Sequence, residues 1–292
     1  MVLNRSRLRM KKGWERIKEE VSILRTLRAE EFDTVICTFP EDRFAVWAFL
    51  SGARHRVGQK NQSLNFLLNL TPGISKSDNG VLEYYCDLAR YLGATIGSIQ
   101  TEFTITTDDH SWAEKVLSVG HSVFVIVHPG ATGAYKIWPP SRFAEMIDSI
   151  QLNLGIKVLL CASPYDEPVV KAIKDRLRTN VAEVDIGGKL GRLAALMVRS
   201  KLCISNDSGP RHLAVAVGAK SLAVFRKHIT NEWMIYAESS RISTLQGIAE
   251  CPHCPTDRCL DRIPQGESFG SSCVRMVETE HVMSRIREMA IE

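Results

Sequence analysis

Lys201-Leu-Cys-Ile-Ser-Asn-Asp-Ser-Gly-Pro-Arg-His-Leu-Ala-Val-Ala-Val-Gly218 is the stretch whose reading decides the fold. Its apolar run, Leu202 to Ile204, predicts a short buried strand. The run breaks at Asn206-Asp207-Ser208-Gly209, where turn and helix-capping residue types cluster. Pro210 suits a first helical position, because its fixed φ matches the first turn and its missing N–H is not needed there. Leu213, Ala214 and Val217 then recur at helical spacing, and Gly218 stands where such a helix would end. A second apolar run follows from Ser221 to Phe225. The pattern is a βαβ unit whose helix opens at the carboxyl end of a strand.

Such a terminus presents unpaired N–H groups and the positive end of the helix dipole, so it favours an anion, typically phosphate. Asp207 could cap the helix or accept hydrogen bonds from sugar hydroxyls. His212, in the first turn, could point back toward the same place. By spacing alone, a capped turn with a structural histidine fits equally well.

The preceding residues repeat the strand–helix alternation. Val123 to His128 is continuously apolar up to its last residue, as strands of a parallel sheet are. It runs into Pro129-Gly-Ala-Thr-Gly133, then Lys136, Trp138 and Pro139. A helix from about Ser141 carries Phe143, Met146, Ile147 and Ile150 on one face, with Gly155 beyond its end. Lys136, in a glycine-rich turn after a strand, suits a diphosphate, and a solvated surface lysine is the alternative. Lys157 to Ala162 is another strand, followed by Ser163-Pro-Tyr-Asp-Glu167 and a helix. Asp166, with Glu167 close behind, could chelate two ribose hydroxyls or simply favour a helix N-terminus. A further helix, Leu193 to Val198, follows Gly187-Gly188-Lys189 and leads into the opening stretch. This alternation predicts a Rossmann-like domain.

Toward the N-terminus, Met10 to Ala29 reads as a charged helix with Trp14, Ile17, Val21 and Leu24 on one face, suited to docking on a sheet. A strand over Phe32–Phe39, a helix over Asp42–Gly52, a strand over Arg54–Gly58 and a helix over Val81–Leu92 follow. Ser98 to Asp109 reads as extended and linker-like, and a helix spans about Ser111 to Leu117. The domain boundary is accordingly expected near residues 100–120, dividing the chain into 1–115 and 116–292. A last amphipathic helix, Glu278 to Met289, is expected to cross back to the first domain.

With 292 residues there is room for two domains, and 45% hydrophobic with 24% charged residues is the balance of a globular protein. A net charge of +4 could help hold an anionic acceptor or membrane surface but is too small to imply a nucleic-acid partner. No apolar stretch approaches the ~20 residues needed to span a bilayer. The basic N-terminus lacks the apolar core of a secretion signal, so the expected location is cytoplasmic. Four of eight cysteines, Cys251, Cys254, Cys259 and Cys273, gather near the C-terminus. A four-thiolate zinc or an iron–sulfur site is chemically reasonable there, although only the first pair has zinc-like spacing. Cys37, Cys86, Cys161 and Cys203 read as buried small hydrophobes.

Asn206-Asp-Ser-Gly-Pro-Arg-His-Leu-Ala214 resembles the signature of the heptosyltransferase-like glycosyltransferases, family 9, which transfer ADP-heptose to the lipopolysaccharide inner core. The block from His128-Pro-Gly-Ala through Lys136 and Trp138-Pro139 matches the same family, as does Gly187-Gly-Lys189 with its helix. The resemblance covers about residues 25–290. It implies a GT-B fold, two Rossmann-like doubly wound domains with a cleft between them, and an inverting transfer of heptose from a nucleotide-sugar to an anionic glycolipid acceptor at the cytoplasmic face of the inner membrane. No cofactor is implied: Lys136 and the Ser208–Gly209 helix terminus would offset the charge of the leaving diphosphate. The donor-binding set carried over is Thr132, Lys136, Asp166, Asp207, Ser208, Gly209 and His212. Two departures stand out. After Phe225, where the family has a glycine, this chain has Arg226-Lys227-His228. The family's opening strand and its loop, whose aspartate is the usual general base, have no counterpart before Phe32. The first domain is therefore expected to be truncated, with Asp42 as the substitute candidate base. A nucleotide-sugar-binding homologue without turnover is the alternative reading.

Overall fold

The computed structural model describes residues 12–39, 41–59, 63–73, 76–97, 99–117, 123–226, 236, 238–247, 263, 265–271 and 273–289. The chain forms two compact units, Met1–Ile99 and Gln100–Glu292. The boundary thus falls earlier than the expected 115/116. The helix over Thr107–Leu117 accounts for this: its Ala113 is fully buried in the core of the second unit, with Trp112 and Val116 packed alongside.

In the first unit, helix α1 (Gly13–Ala29) is followed by strand β1 (Thr34–Ile36), helix α2 (Asp42–Leu50), strand β2 (His55–Val57) and helix α3 (Lys76–Tyr91), which is kinked at Gly80. β1 and β2 pair in parallel. The buried contact of α1 is made by Ile23 against Trp47 of α2, supported by Leu24 and Leu27. Trp14, Ile17 and Val21, expected to dock on a sheet, remain 68%, 51% and 40% exposed. The packed stripe of this helix is therefore its C-terminal half alone.

The second unit is a three-layer sandwich. In chain order it comprises α4 (Thr107–Leu117), β3 (Phe124–His128), α5 (Pro140–Asn153), β4 (Lys157–Ala162), α6 (Glu167–Lys174), β5 (Ala182–Asp185), α7 (Leu190–Met197), β6 (Leu202–Asn206), α8 (Gly209–Ala216), β7 (Ser221–Phe225), β8 (Ile242–Gln246) and α9 (Thr279–Glu288). The six strands lie in the order β5-β4-β3-β6-β7-β8 and every pairing is parallel. Numbered within the unit this is 3-2-1-4-5-6, the doubly wound dinucleotide-binding order. Strand residues alternate between the two faces. Val125, Val127, Val158 and Leu160 face a core shared with α5, α6 and α9, while Phe124, Ile126, Leu159 and Cys161 face one shared with α4, α7 and α8. Burial on both sides explains why β3 reads as an unbroken apolar run. Val282, Met283 and Ile286 of α9, the helix expected from the sequence to cross back to the first domain, enter the core of the second unit beside α5.

One side chain fastens the carboxyl edge of this sheet. Asn206, fully buried at the end of β6, donates from Nδ2 to Pro129 O at 2.6 Å and accepts at Oδ1 from the Trp138 backbone N–H at 2.9 Å. The amide thereby brackets both ends of the loop after β3. Trp138 is fully buried against Phe143 in an edge-to-face contact of 5.1 Å, and its indole Nε1–H donates to Val277 O at 2.8 Å. Replacing Asn206 with alanine strands two buried backbone groups without partners. At about 1–3 kcal/mol for each such group, Asn206→Ala should lower unfolding stability by about 2–6 kcal/mol, read as a shifted urea midpoint at unchanged slope. A loss below about 0.5 kcal/mol would show that the loop is held by other contacts.

Candidate functional site

In a doubly wound sheet, the chains leaving the first and fourth strands part in opposite directions, and the crevice between them receives the ligand. Here those strands are β3 and β6. The loop after β3 makes a short turn, Ala134–Lys136, pinned by Gly270 N–H to Ala134 O at 2.9 Å and Ser271 N–H to Tyr135 O at 3.0 Å. A Cβ on Gly133 would lie 2.4 Å from the Tyr135 ring, so only glycine lets that ring fold over the loop. The turn delivers Lys136 to the mouth of β6. Its Nζ is 2.9 Å from Asp207 Oδ2, and Asp207 is 7% exposed. The Arg226 guanidinium approaches the same oxygen at 4.0 Å. Two cations therefore flank one carboxylate, leaving one net positive charge.

That surplus faces the opening of α8. Ser208 is its N-cap with extended backbone, and no side chain caps the helix. The Ser208 hydroxyl turns away and donates to Asn206 O at 3.3 Å. Asp207, which the sequence left either to cap the helix or to accept from sugar hydroxyls, pairs with Lys136. The positive end of the helix dipole adds to the two cations, so the cluster favours an anion bridging Lys136 and Gly209.

His212 lies in the first turn of α8, and its Nδ1 is 3.1 Å from the Tyr236 hydroxyl. Burial first, and then the neighbouring Arg211 charge, hold its imidazole below the ordinary value, against the opposing pull of Asp207. Arg211 is 1% exposed; it stacks on Phe225 at 4.4 Å and on Tyr236 at 5.3 Å, and its Nη2 donates to Thr244 Oγ1 at 2.8 Å. Neither Arg211 nor Tyr236 stands out in the sequence, because nothing local marks an arginine that will be buried between two rings.

The remaining expected residues divide. Thr132 is exposed in the loop between β3 and the turn carrying Lys136. Asp166 is taken up within the fold: its Oδ2 accepts from Ser163 N–H at 3.0 Å and from Ser163 Oγ–H at 2.7 Å in a capping box. Its other oxygen abuts Gly130, where a Cβ would sit 1.9 Å from Oδ1. Glu167, the next residue, instead lines an open hollow with Ser163, Glu183 and Asp185 at the carboxyl ends of β4 and β5. His128, 3.9 Å from Asp166 Oδ2 and 8% exposed, lies beneath, its imidazole pushed down by burial. In the first unit, Asp42 begins α2, and its Oδ1 accepts the Leu64 backbone N–H at 3.0 Å.

Cys251, Cys254 and Cys259 lie outside the described residues. Cys273 is buried, 3.4 Å from the Ser271 hydroxyl. Among the described residues no group of three or more His, Cys, Asp or Glu could hold a metal ion. Cys37, Cys161 and Cys203 are buried as expected, with burial raising all three thiols, to about 11 at Cys37 and about 12 at Cys203, while Cys86 is only half-buried. Among the described residues no helix is long and apolar enough to cross a membrane.

A doubly wound domain with a cationic crevice beside an uncapped helix terminus at its switch point has the architecture in which α/β sheets receive anionic ligands. The chain belongs to glycosyltransferase family 9 (heptosyltransferase), whose model it matches over residues 21–260. It is 23% identical over 223 residues to the lipopolysaccharide core heptosyltransferase OpsX of Haemophilus influenzae, covering 75% of this chain and 63% of that protein. It is 24% identical over 225 residues to lipopolysaccharide heptosyltransferase 3 of Escherichia coli, covering 73% and 65%. The chain thus spans less than two thirds of the length of these curated relatives. Among solved structures it resembles a family 9 glycosyl transferase from Veillonella parvula, with a TM-score of 0.75 at 21% identity over 96% of this chain and 80% of that one. The E. coli heptosyltransferase WaaC with ADP-2-deoxy-2-fluoro heptose gives 0.67 at 18% identity, covering 99% and 82%. The fold class is accordingly GT-B, with Rossmann-like units.

The lowered imidazoles have a measurable consequence. A histidine whose folded value lies below its unfolded value of about 6.5 is protonated first in the unfolded chain. Stability is then complete above that value and declines as pH falls below it, until the folded value is passed. His128 and His212 should both titrate below 6.5 in the imidazole proton resonances, with unfolding midpoints dropping between pH 7.5 and 5.5. Titration of both at or above 6.5 would contradict their burial.

Proposed function

We propose that this protein is an inverting glycosyltransferase that takes a heptose, or a related sugar, from a nucleotide-sugar such as ADP-heptose and passes it to a lipopolysaccharide-core-type acceptor. The observation that carries the reading is the convergence of Lys136, Asp207 and the uncapped α8 terminus at the switch point of the 3-2-1-4-5-6 sheet. Family membership gives that convergence its chemistry, and the WaaC complex supplies the donor type. The diphosphate lies across Lys136 and the Gly209 terminus, where fixed positive charge stabilises it as it leaves and no metal is called upon. Glu167, at the start of α6 beyond β4, accepts from the ribose hydroxyls in this reading. The acceptor is an anionic glycolipid, met at the cytoplasmic face of the inner membrane, and the first unit, residues 1–99, serves the acceptor side.

A second reading, a homologue that binds nucleotide-sugar without turnover, draws on Asp42, whose Oδ1 already accepts the Leu64 N–H. Turnover of ADP-heptose on a lipopolysaccharide-core acceptor separates the two.

Calorimetric titration with ADP tests the donor site. Lys136→Ala should weaken ADP binding by about 10-fold or more, the scale of one charge-assisted contact to phosphate. Glu167→Gln should weaken ADP about 3- to 10-fold while leaving inorganic pyrophosphate unchanged, because it removes only the ribose contact. Absence of binding to ADP and to UDP by the unaltered chain would end the glycosyltransferase reading.

A further inference from the structure

Arg226 follows directly on β7 at the carboxyl edge of the sheet. Its guanidinium lies over the Tyr135 ring, 4.9 Å from the centroid. The side chain is only 16% exposed, and its buried Nε has no hydrogen-bond partner among the described residues. Stacking occupies the face of a guanidinium and leaves the donors on its edge available. Asp207, at 4.0 Å, attracts that edge by charge but lies beyond hydrogen-bond reach, while Lys136 holds the same oxygen at 2.9 Å. The arginine is thus oriented and partly desolvated, with donors in hand.

The strand order gives it a place along a bound ligand. Glu167 lies beyond β4, Lys136 beyond β3, Ser208 and Gly209 beyond β6, and Arg226 beyond β7, and these strands are successive neighbours. Three strand spacings of about 4.8 Å put the β7 edge about 14 Å from the β4 edge. A nucleotide with its ribose at Glu167 brings its first phosphate to Lys136 and the α8 terminus. Only the distal phosphate then extends toward Arg226.

Resting on the donor-site reading above, we propose that Arg226 recognises the distal phosphate of a nucleoside diphosphate, with Tyr135 holding the guanidinium plane, and that this contact makes the site selective for diphosphates over monophosphates. Asp207 keeps Lys136 in place while Arg226 turns its free edge to the phosphate. Lys136, by contrast, serves the phosphate that both ligand types share.

The test is calorimetry on the full chain with ADP and AMP, and with UDP and UMP. The unaltered protein should bind the diphosphate at least about 10-fold more tightly than the monophosphate. Arg226→Gln should cut that ratio by about 10-fold, with monophosphate affinity changed less than about 2-fold, and Arg226→Lys should retain part of it. Equal weakening of both ligands, or an unchanged ratio, overturns the assignment while ADP binding that depends on Lys136 still upholds the donor site. Failure of the unaltered chain to bind any of the four overturns both. Should Arg226→Gln fail to fold, the unaltered protein and Arg226→Lys decide: a diphosphate preference below about 3-fold, or one identical in the two, refutes the assignment.

Discussion

The Asn206 amide is the constraint on which the rest of the site depends. A doubly wound sheet opens a crevice wherever its chain reverses direction, but the topology alone does not fix the loops around it. Here one buried side chain holds the start of the β3 loop through Pro129 O and its end through the Trp138 N–H. Lys136 hangs between those two anchors, and Asp207 is the residue directly after Asn206 in the chain. The ion pair between them follows from the lock and not from any flexibility of the lysine. Trp138 carries the constraint onward into the core through Phe143 and Val277.

Electrostatically the site is held in a charged but restrained state. Asp207 brings Lys136 and Arg226 together where their mutual repulsion would otherwise separate them, at the price of shielding them from an incoming anion. The helix dipole adds a positive contribution that no side chain neutralises. Such preorganised charge needs little rearrangement when an anion arrives, which is the condition under which fixed dipoles and cations are most effective. The aromatic rings nearby do related work: Tyr135 orients one guanidinium and Tyr236, with Phe225, encloses another.

Much of this was legible in the sequence because the deciding features are local. The run Leu202–Ile204, the Pro210 helix start and the Gly218 stop translate directly into β6 and α8, with Gly218 at a φ of +71°. β3, β4, β7 and the buried face of α5 were equally plain. β5 and β8 escaped notice, since Ala182–Asp185 is polar at alternate positions and Ile242–Gln246 lacks a continuous apolar run, as edge strands do. The Lys136–Asp207 pair follows from two motifs that each point to phosphate, but their direct contact does not, because it depends on a loop lock formed across the sheet. Asp166 and Glu167 show a similar limit. Adjacent carboxylates look alike in a sequence, and only the Ser163 capping box shows which one the fold has already used. The apolar stripe of α1 likewise continues in the sequence beyond the part that packs.

The lock has a consequence for how this protein is made. Asn206 and Pro129 are 77 residues apart, and Trp138 waits a further distance, 139 residues, for the carbonyl that its indole meets. At about 5–20 residues per second, a ribosome takes about 4–15 s to extend the chain from the first of these partners to the second. Once β4 has been made, β3 has it on one side and an unpaired edge on the other, because its second neighbour, β6, has not yet been translated. The crevice is therefore a late product of synthesis, and the nascent chain carries an apolar strand edge that a chaperone can recognise until β6 closes it.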